Sequence, residues 1–277
     1  MKNNSLAKRY FGLIIPLALM LIFILFPFYW TFVTSVKPQA ELLGPATYWP
    51  KQFTWDSYIK LFKGTVDFGA AMRHSFFVAS VTTLLSLTVS TLASYAFSRY
   101  RFPGRKFLMG LFLSNNMFPT VLLLIPLYSM MRKLGFLYKP ISLILAYTTF
   151  TIPFSVWLLN GFIDDIPASL EEAAMVDGCN RAKAFIKVTL PILAPCLIAT
   201  GVYIFMNSWN EYTFAMMFTN TSGRTIPVAL NSLIGQLGVQ WDLMTAGGIV
   251  TVIPVCIFFF FAQKRLVEGL TAGAVKQ

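Results

Sequence analysis

EEAAMVDGCNRAKAFIKVTLP, residues 171–191, decides how this chain is read. It is a charged, amphipathic run between two apolar ones, 140–163 and 188–210, that contain no Asp, Glu, Lys or Arg. Four more charge-free runs, 11–36, 75–98, 107–131 and 243–263, lie further out. Each is long enough for the roughly 20 residues that cross a hydrocarbon core about 30 Å thick. The whole chain is 56% hydrophobic and 12% charged, with a mean hydropathy of +0.65. Lipid is therefore the solvent for most of it, and the expected fold class is an all-α integral membrane protein with six transmembrane helices.

A seventh run, 225–241, is also charge-free but carries Asn231, Gln236, Gln240 and two glycines. It is expected to be a loop that dips inward rather than a span. The first run follows Lys8 and Arg9 as a signal peptide would, yet it exceeds an ordinary signal core and lacks a small-residue exit, so it is expected to stay as an anchor, about residues 11–34. The remaining spans, about 75–263, form the core of one transmembrane domain covering residues 1–277, with a loop at 164–190.

The net charge of +11 raises the question of nucleic acid. The cations sit instead where a membrane protein puts them. Lys2, Lys8 and Arg9 precede the first span, Arg99, Arg101, Arg105 and Lys106 crowd the turn after the second, and Lys264 and Arg265 follow the sixth. With six spans these clusters share one side, which is the cytoplasm by the positive-inside rule, so both termini are expected there and no nucleic-acid partner is. The three cysteines have no metal-ligand or disulfide spacing and His74 is the only histidine, which leaves no metal site.

The 171–191 run then falls in the cytoplasm. Glu171, Glu172 and Asp177 would each cost about 2.5–3.5 kcal/mol at mid-bilayer. Its grammar is that of two short helices. Ser169 and Glu172 have capping-box spacing, Leu170, Ala173, Ala174 and Val176 give a narrow apolar strip, Gly178 suits a left-handed C-terminal position, and Asn180 suits the N-cap of a second helix that Pro191 passes to the fifth span. Such a helix can enter a groove on another protein or lie on the lipid surface.

The spacing E-A-A-x-x-x-G, nine residues, an aliphatic, one residue and L-P is met by Glu172, Ala173, Ala174, Gly178, Val188, Leu190 and Pro191. It resembles the EAA loop in the membrane subunits of binding-protein-dependent ABC importers. LASYAFSRYRFPGR (92–105), MFPTVLLLIPLY (117–128), IPFSVWLLNGFIDDIPASLEEAAMVDG (152–178), WNEYTFA (209–215) and GLTAGAVKQ (269–277) are similar to the six-span second subunit of maltose-type sugar permeases. The resemblance implies a type I importer permease in a bacterial cytoplasmic membrane, moving a sugar or oligosaccharide by alternating access. It implies a second permease subunit in a heterodimer, two ATPase subunits and an extracellular solute-binding protein. The coupling set would be Glu171, Glu172, Ala173, Ala174, Asp177, Gly178, Leu190 and Pro191, with Glu172 making the polar contact to the ATPase.

No phosphate-binding G-x-x-x-x-G-K-[ST] loop occurs, so ATP and Mg belong on partner subunits, no cofactor on this chain, and the chain itself is not an enzyme. Residues 269–277 would extend toward the ATPases or form a frayed end. Residues 218–236, with Arg224, Thr225 and Pro227, correspond to a loop that reaches the binding protein, or else form a plain connector. Intramembrane amides normally face a bundle interior, so Asn115, Asn116, Asn207, Trp209, Asn210 and Glu211 are candidates for a path or gate. Asn160 is similar, and hydrogen bonds between helices explain such residues equally well. A stand-alone facilitator, or an importer of a non-sugar solute such as glycerol phosphate, is the alternative. An intramembrane enzyme would need a catalytic constellation that the spans lack.

Overall fold

The computed structural model describes residues 2–64, 66–115, 117–235 and 238–274. Among the described residues five helices are long and apolar enough to cross a membrane, and a sharply bent pair makes a sixth when counted as one span. The chain divides into two compact units, residues 1–68 with 229–254 and residues 69–228 with 255–277.

In the first unit, α1 (Lys2–Ser35) is a single helix that tolerates Pro16 and Pro27. Residues 11–29 of it are exposed throughout, as expected of a helix whose side chains meet lipid, and only near its end does it bury Val33 and Ser35. After it come α2 (Gln39–Leu42) and α3 (Asp56–Lys63), which give structure to the stretch between the first two spans. The Tyr58 and Ser35 hydroxyls, 2.7 Å apart, tie α3 to the end of α1.

The second unit holds α4 (Phe68–Arg99, all but its first residue), α5 (Arg105–Asn115), α6 (Leu124–Lys133), α7 (Pro140–Asp164), α8 (Ala168–Val176), α9 (Arg181–Ala184), α10 (Leu190–Asn210) and α11 (Thr213–Phe218). α7 packs against α5, α10 and α11. Its seam with α4 is polar: Ser86, Ser90 and Ser94, one turn apart and fully buried, meet the Thr151 hydroxyl at 2.9 Å, the Ile152 carbonyl at 3.4 Å and the Val156 carbonyl at 3.1 Å. Small residues let backbones approach, and each serine hydroxyl finds an acceptor on the neighbouring helix where lipid offers none.

The third expected span, 107–131, is not one straight helix. α5 ends at Asn115, a short 3-10 turn runs over Thr120–Leu123, and α6 leaves at a bend of 98°. Pro119 at the N-cap of that turn is the cause: it lacks the N–H that a continuing helix needs and keeps Phe118 out of helical backbone. The 225–241 run, expected as a loop, folds into α12 (Ile226–Asn231) and a small antiparallel pair, β1 (Ile234–Gly235) with β2 (Gly238–Val239). The last helix, α13 (Trp241–Ala274), extends past the expected span. Residues 275–277 of the expected tail contact lie outside the described residues.

Candidate functional site

α8 and its surroundings form the candidate site. The helix begins at Ala168, directly after Pro167, whose φ of −58° suits a helix entry, and no side chain caps it. Ser169 therefore stands inside the first turn and the expected capping box with Glu172 does not form. The C-terminus follows expectation in detail. Gly178 has φ +89°, its N–H donates to the Met175 carbonyl at 3.1 Å, and the Cys179 N–H donates to the Ala174 carbonyl at 3.0 Å. This is a Schellman stop, which requires a left-handed residue. The Asn180 side chain then accepts the Lys183 N–H at 2.9 Å and caps α9.

α9 does not end before the fifth span. A π-helical turn, Phe185–Thr189, joins it to α10, so helix runs from Arg181 to Asn210. Pro191 has no N–H for the Lys187 carbonyl and its ring crowds that turn, and the wider π turn absorbs the misfit.

Glu171 is the centre of the site. It is 5% exposed. One carboxylate oxygen accepts the Tyr95 hydroxyl at 2.7 Å, and the other accepts Arg99 Nε at 2.8 Å and the Thr189 hydroxyl at 2.8 Å. Arg99 Nη2 continues to the Ile166 carbonyl at 2.8 Å. One carboxylate thus joins the end of α4, the entry to α8 and the π turn before α10. Burial raises the pKa of Glu171, but the hydrogen bonds from Tyr95, Arg99 and Thr189 outweigh it and hold the carboxyl below the ordinary value. Beside this node Asp164 accepts the Ser98 hydroxyl at 2.6 Å and the Asn160 amide at 2.8 Å. The Tyr95 ring lies 4.6 Å from that of Phe185.

The rest of the expected coupling set faces outward. Glu172, Ala173, Asp177, Gly178 and Pro191 are exposed, while Ala174 and Leu190 are half-buried. Leu170 and Val176 are exposed at 44% and 88%, so the apolar strip of α8 is uncovered. Glu171 is set apart from these by facing inward as a brace.

The path candidates divide. Asn207 and Asn210 are exposed and Asn115 is half-buried. Asn207 donates to the Tyr203 carbonyl at 2.8 Å, and Asn116 lies outside the described residues. Trp209 is core: it is 1% exposed and stacks on Phe205, which stacks on Phe258. Glu211 caps α11, accepting the Phe214 and Ala215 N–H groups and the Tyr147 hydroxyl. Of the loop residues, Thr225 is buried while Arg224 and Pro227 are half-buried. The Ile226 N–H donates to the Ser75 hydroxyl at 2.8 Å, so this part of the segment packs inward. Gln236 lies outside the described residues. Among the described residues no three metal-ligating side chains come together.

Sequence reasoning missed Tyr95, Arg99 and Thr189. A signal was present: Ser86, Ser90, Ser94 and Ser98 recur every fourth residue and mark the face of α4 that Tyr95 and Arg99 extend.

A model of the family described as "Binding-protein-dependent transport system inner membrane component" matches residues 86–271. The chain is 37% identical over 254 residues to the sulfoquinovosyl glycerol transport system permease protein SmoH of Agrobacterium fabrum, covering 91% of this chain and 89% of that protein. It is 36% identical over 267 residues to the trehalose/maltose transport system permease protein MalG of Thermococcus litoralis, covering 95% and 96%. It is also similar in fold to a chain of a bacterial ABC transporter involved in the import of the acidic polysaccharide alginate. That match has a TM-score of 0.78 at 23% identity and covers 93% of this chain and 97% of that one.

Proposed function

Because this chain belongs to the family of binding-protein-dependent transport system inner membrane components, we propose that it is the permease subunit of an ATP-driven importer for a sugar or oligosaccharide. Its relatives are named for sulfoquinovosyl glycerol, trehalose, maltose and diacetylchitobiose, all of them glycosides. The observation that carries the mechanism is the buried Glu171 node beneath an uncovered helix face. Leu170, Ala173 and Val176 recur every third residue on α8 and offer an apolar strip to a cleft on an ATPase subunit. Glu172 and Asp177 border that strip with negative charge. The node beneath it clamps α8 to α4 and to the π turn, so α8 cannot shift without moving both helices. ATP-driven motion of a partner becomes motion of the bundle, and alternating access follows when a second permease subunit completes the pathway. A solute-binding protein delivers the sugar from outside.

Expressed alone, the subunit should show neither ATP hydrolysis nor sugar uptake, and both should appear when a second permease subunit, the ATPase and the binding protein are co-expressed. Radiolabelled uptake into cells checks this, and strong flux from the lone subunit would favour a facilitator.

The orientation has its own test. In a cysteine-free background, Pro103→Cys should be shielded from a membrane-impermeant thiol reagent added outside, while Ser222→Cys reacts. The reverse pattern would overturn an arrangement with α8 on the ATPase side.

A further inference from the structure

The turn after α4 and the first turn of α5 enclose a shallow concavity of about 430 Å³ lined by Arg101, Phe102, Gly104, Arg105, Lys106 and Phe107. Three cations converge there. Arg105 reaches Asp164 only at 4.0 Å, on an oxygen that already accepts the Ser98 hydroxyl. Among the described residues, Arg101 and Lys106 pair with no carboxylate. Positive charge in the first turn of α5 also runs against the helix dipole, and among the described residues Asp164 is the one carboxylate that offsets the cluster. The walls are not purely polar. Phe107 is 74% exposed at the rim, Leu111 one turn further along α5 is 52% exposed, and α5 buries none of its residues. A cationic concavity therefore opens onto a bare apolar helix face.

That combination selects an amphiphile. A soluble phosphate, or an acidic segment with no apolar side chains of its own, would use the cations and leave Phe107 and Leu111 uncovered. We infer that the concavity holds the phosphodiester headgroup of an anionic phospholipid, with Arg101, Arg105 and Lys106 around the phosphate and acyl chains along Phe107 and Leu111. Arg105 is shared between this lipid and Asp164, so the lipid sits one ion pair away from the end of α7. A general preference of membrane cations for one leaflet asks only for negative surface charge. A bound lipid differs from this by being retained after extraction.

The test uses the complex purified with its partner subunits and incorporated into nanodiscs of phosphatidylglycerol or of phosphatidylcholine, then released and weighed by native mass spectrometry. The wild-type complex should keep phosphatidylglycerol and not phosphatidylcholine, and equal retention of the two overturns the inference without recourse to any variant. In Arg101→Gln/Lys106→Gln, phosphatidylglycerol affinity should fall about 30-fold, which is roughly 1 kcal/mol for each of two cations at an anionic surface. Unchanged retention in an assembled variant overturns it. Displacement of the lipid by inorganic phosphate assigns the concavity to a soluble anion and overturns it. So does loss of the ATPase subunits with lipid retention unchanged, which would make these cations a protein contact.

Discussion

Glu171→Ala should abolish sugar uptake and lower the amount of subunit in the membrane. The substitution removes the acceptor for Tyr95, Arg99 and Thr189 together. It leaves the Arg99 guanidinium, whose side chain is 11% exposed, without its carboxylate. Removing one member of a buried pair costs about 3–5 kcal/mol, because the remaining charge is stranded. That is a large share of the roughly 5–15 kcal/mol that holds a domain folded. Glu171→Gln keeps the shape and one acceptor oxygen and should fall between wild type and Glu171→Ala in both abundance and thermal midpoint. A Glu171→Ala complex with normal abundance, midpoint and uptake would remove Glu171 from the mechanism.

The same residue sets a pH signature. Its folded pKa is depressed, so its stabilisation is fully present above the unfolded carboxylate value of about 4.3 and is lost only as pH falls through the lower folded value. The difference in thermal midpoint between wild type and Glu171→Gln should stay constant from pH 8 to pH 5, to within about a degree, and close only at more acid pH. A difference that shrinks near pH 6 would mean that the carboxyl is not held ionised by its partners.

Gly178→Val should produce a different defect: normal abundance, lost uptake, and ATP hydrolysis that no longer responds to loaded binding protein. A Cβ at position 178 would meet nothing within 4 Å, so space is not the obstacle. The obstacle is φ at +89°, which a β-branched residue adopts only at a cost of about 1–3 kcal/mol. The Schellman bonds to Met175 and Ala174 would open, α8 would run on, and its outer strip would turn away from the ATPase cleft. Gly178→Asn, which tolerates left-handed backbone, should recover part of the activity. Normal transport by Gly178→Val would place the coupling contact elsewhere.

What the sequence disclosed was what depends on near neighbours. Hydropathy found the spans, and the Gly178 stop and the Asn180 cap are legible because each is decided within five residues. Ser169 and Glu172 mimic a capping box, but Pro167 starts the helix early and moves both out of register. Glu171 and Glu172 look equivalent in sequence. They lie about 100° apart on the helix, and the one that turns inward is chosen by Tyr95 and Arg99, more than seventy positions away. A window average over 107–131 does not register one proline, which is why the break at Pro119 was invisible to hydropathy. Trp209 and Glu211, both candidates for a path or gate, have partners within four residues in Phe205, Phe214 and Ala215, but Phe258 and Tyr147, which complete the stack and the cap, come from helices distant in sequence.

The break at Pro119 also bears on how the chain is made. α5 has 11 residues and α6 has 10, so each is only about 15–17 Å long, roughly half of the hydrocarbon thickness. Neither half satisfies the insertion machinery as a complete segment when it leaves the ribosome. α5 meets α4 first, where the Phe112 ring lies 5.8 Å from that of Phe97, and its second partner is α7, where the Asn115 amide meets the Thr149 carbonyl. α7 is finished about thirty residues after α6 ends, a delay of a few seconds at ordinary translation speed. During that interval the stretch from Arg105 to Lys133 lacks its contacts with α7, so it is expected to settle across the bilayer only once α7 is in place.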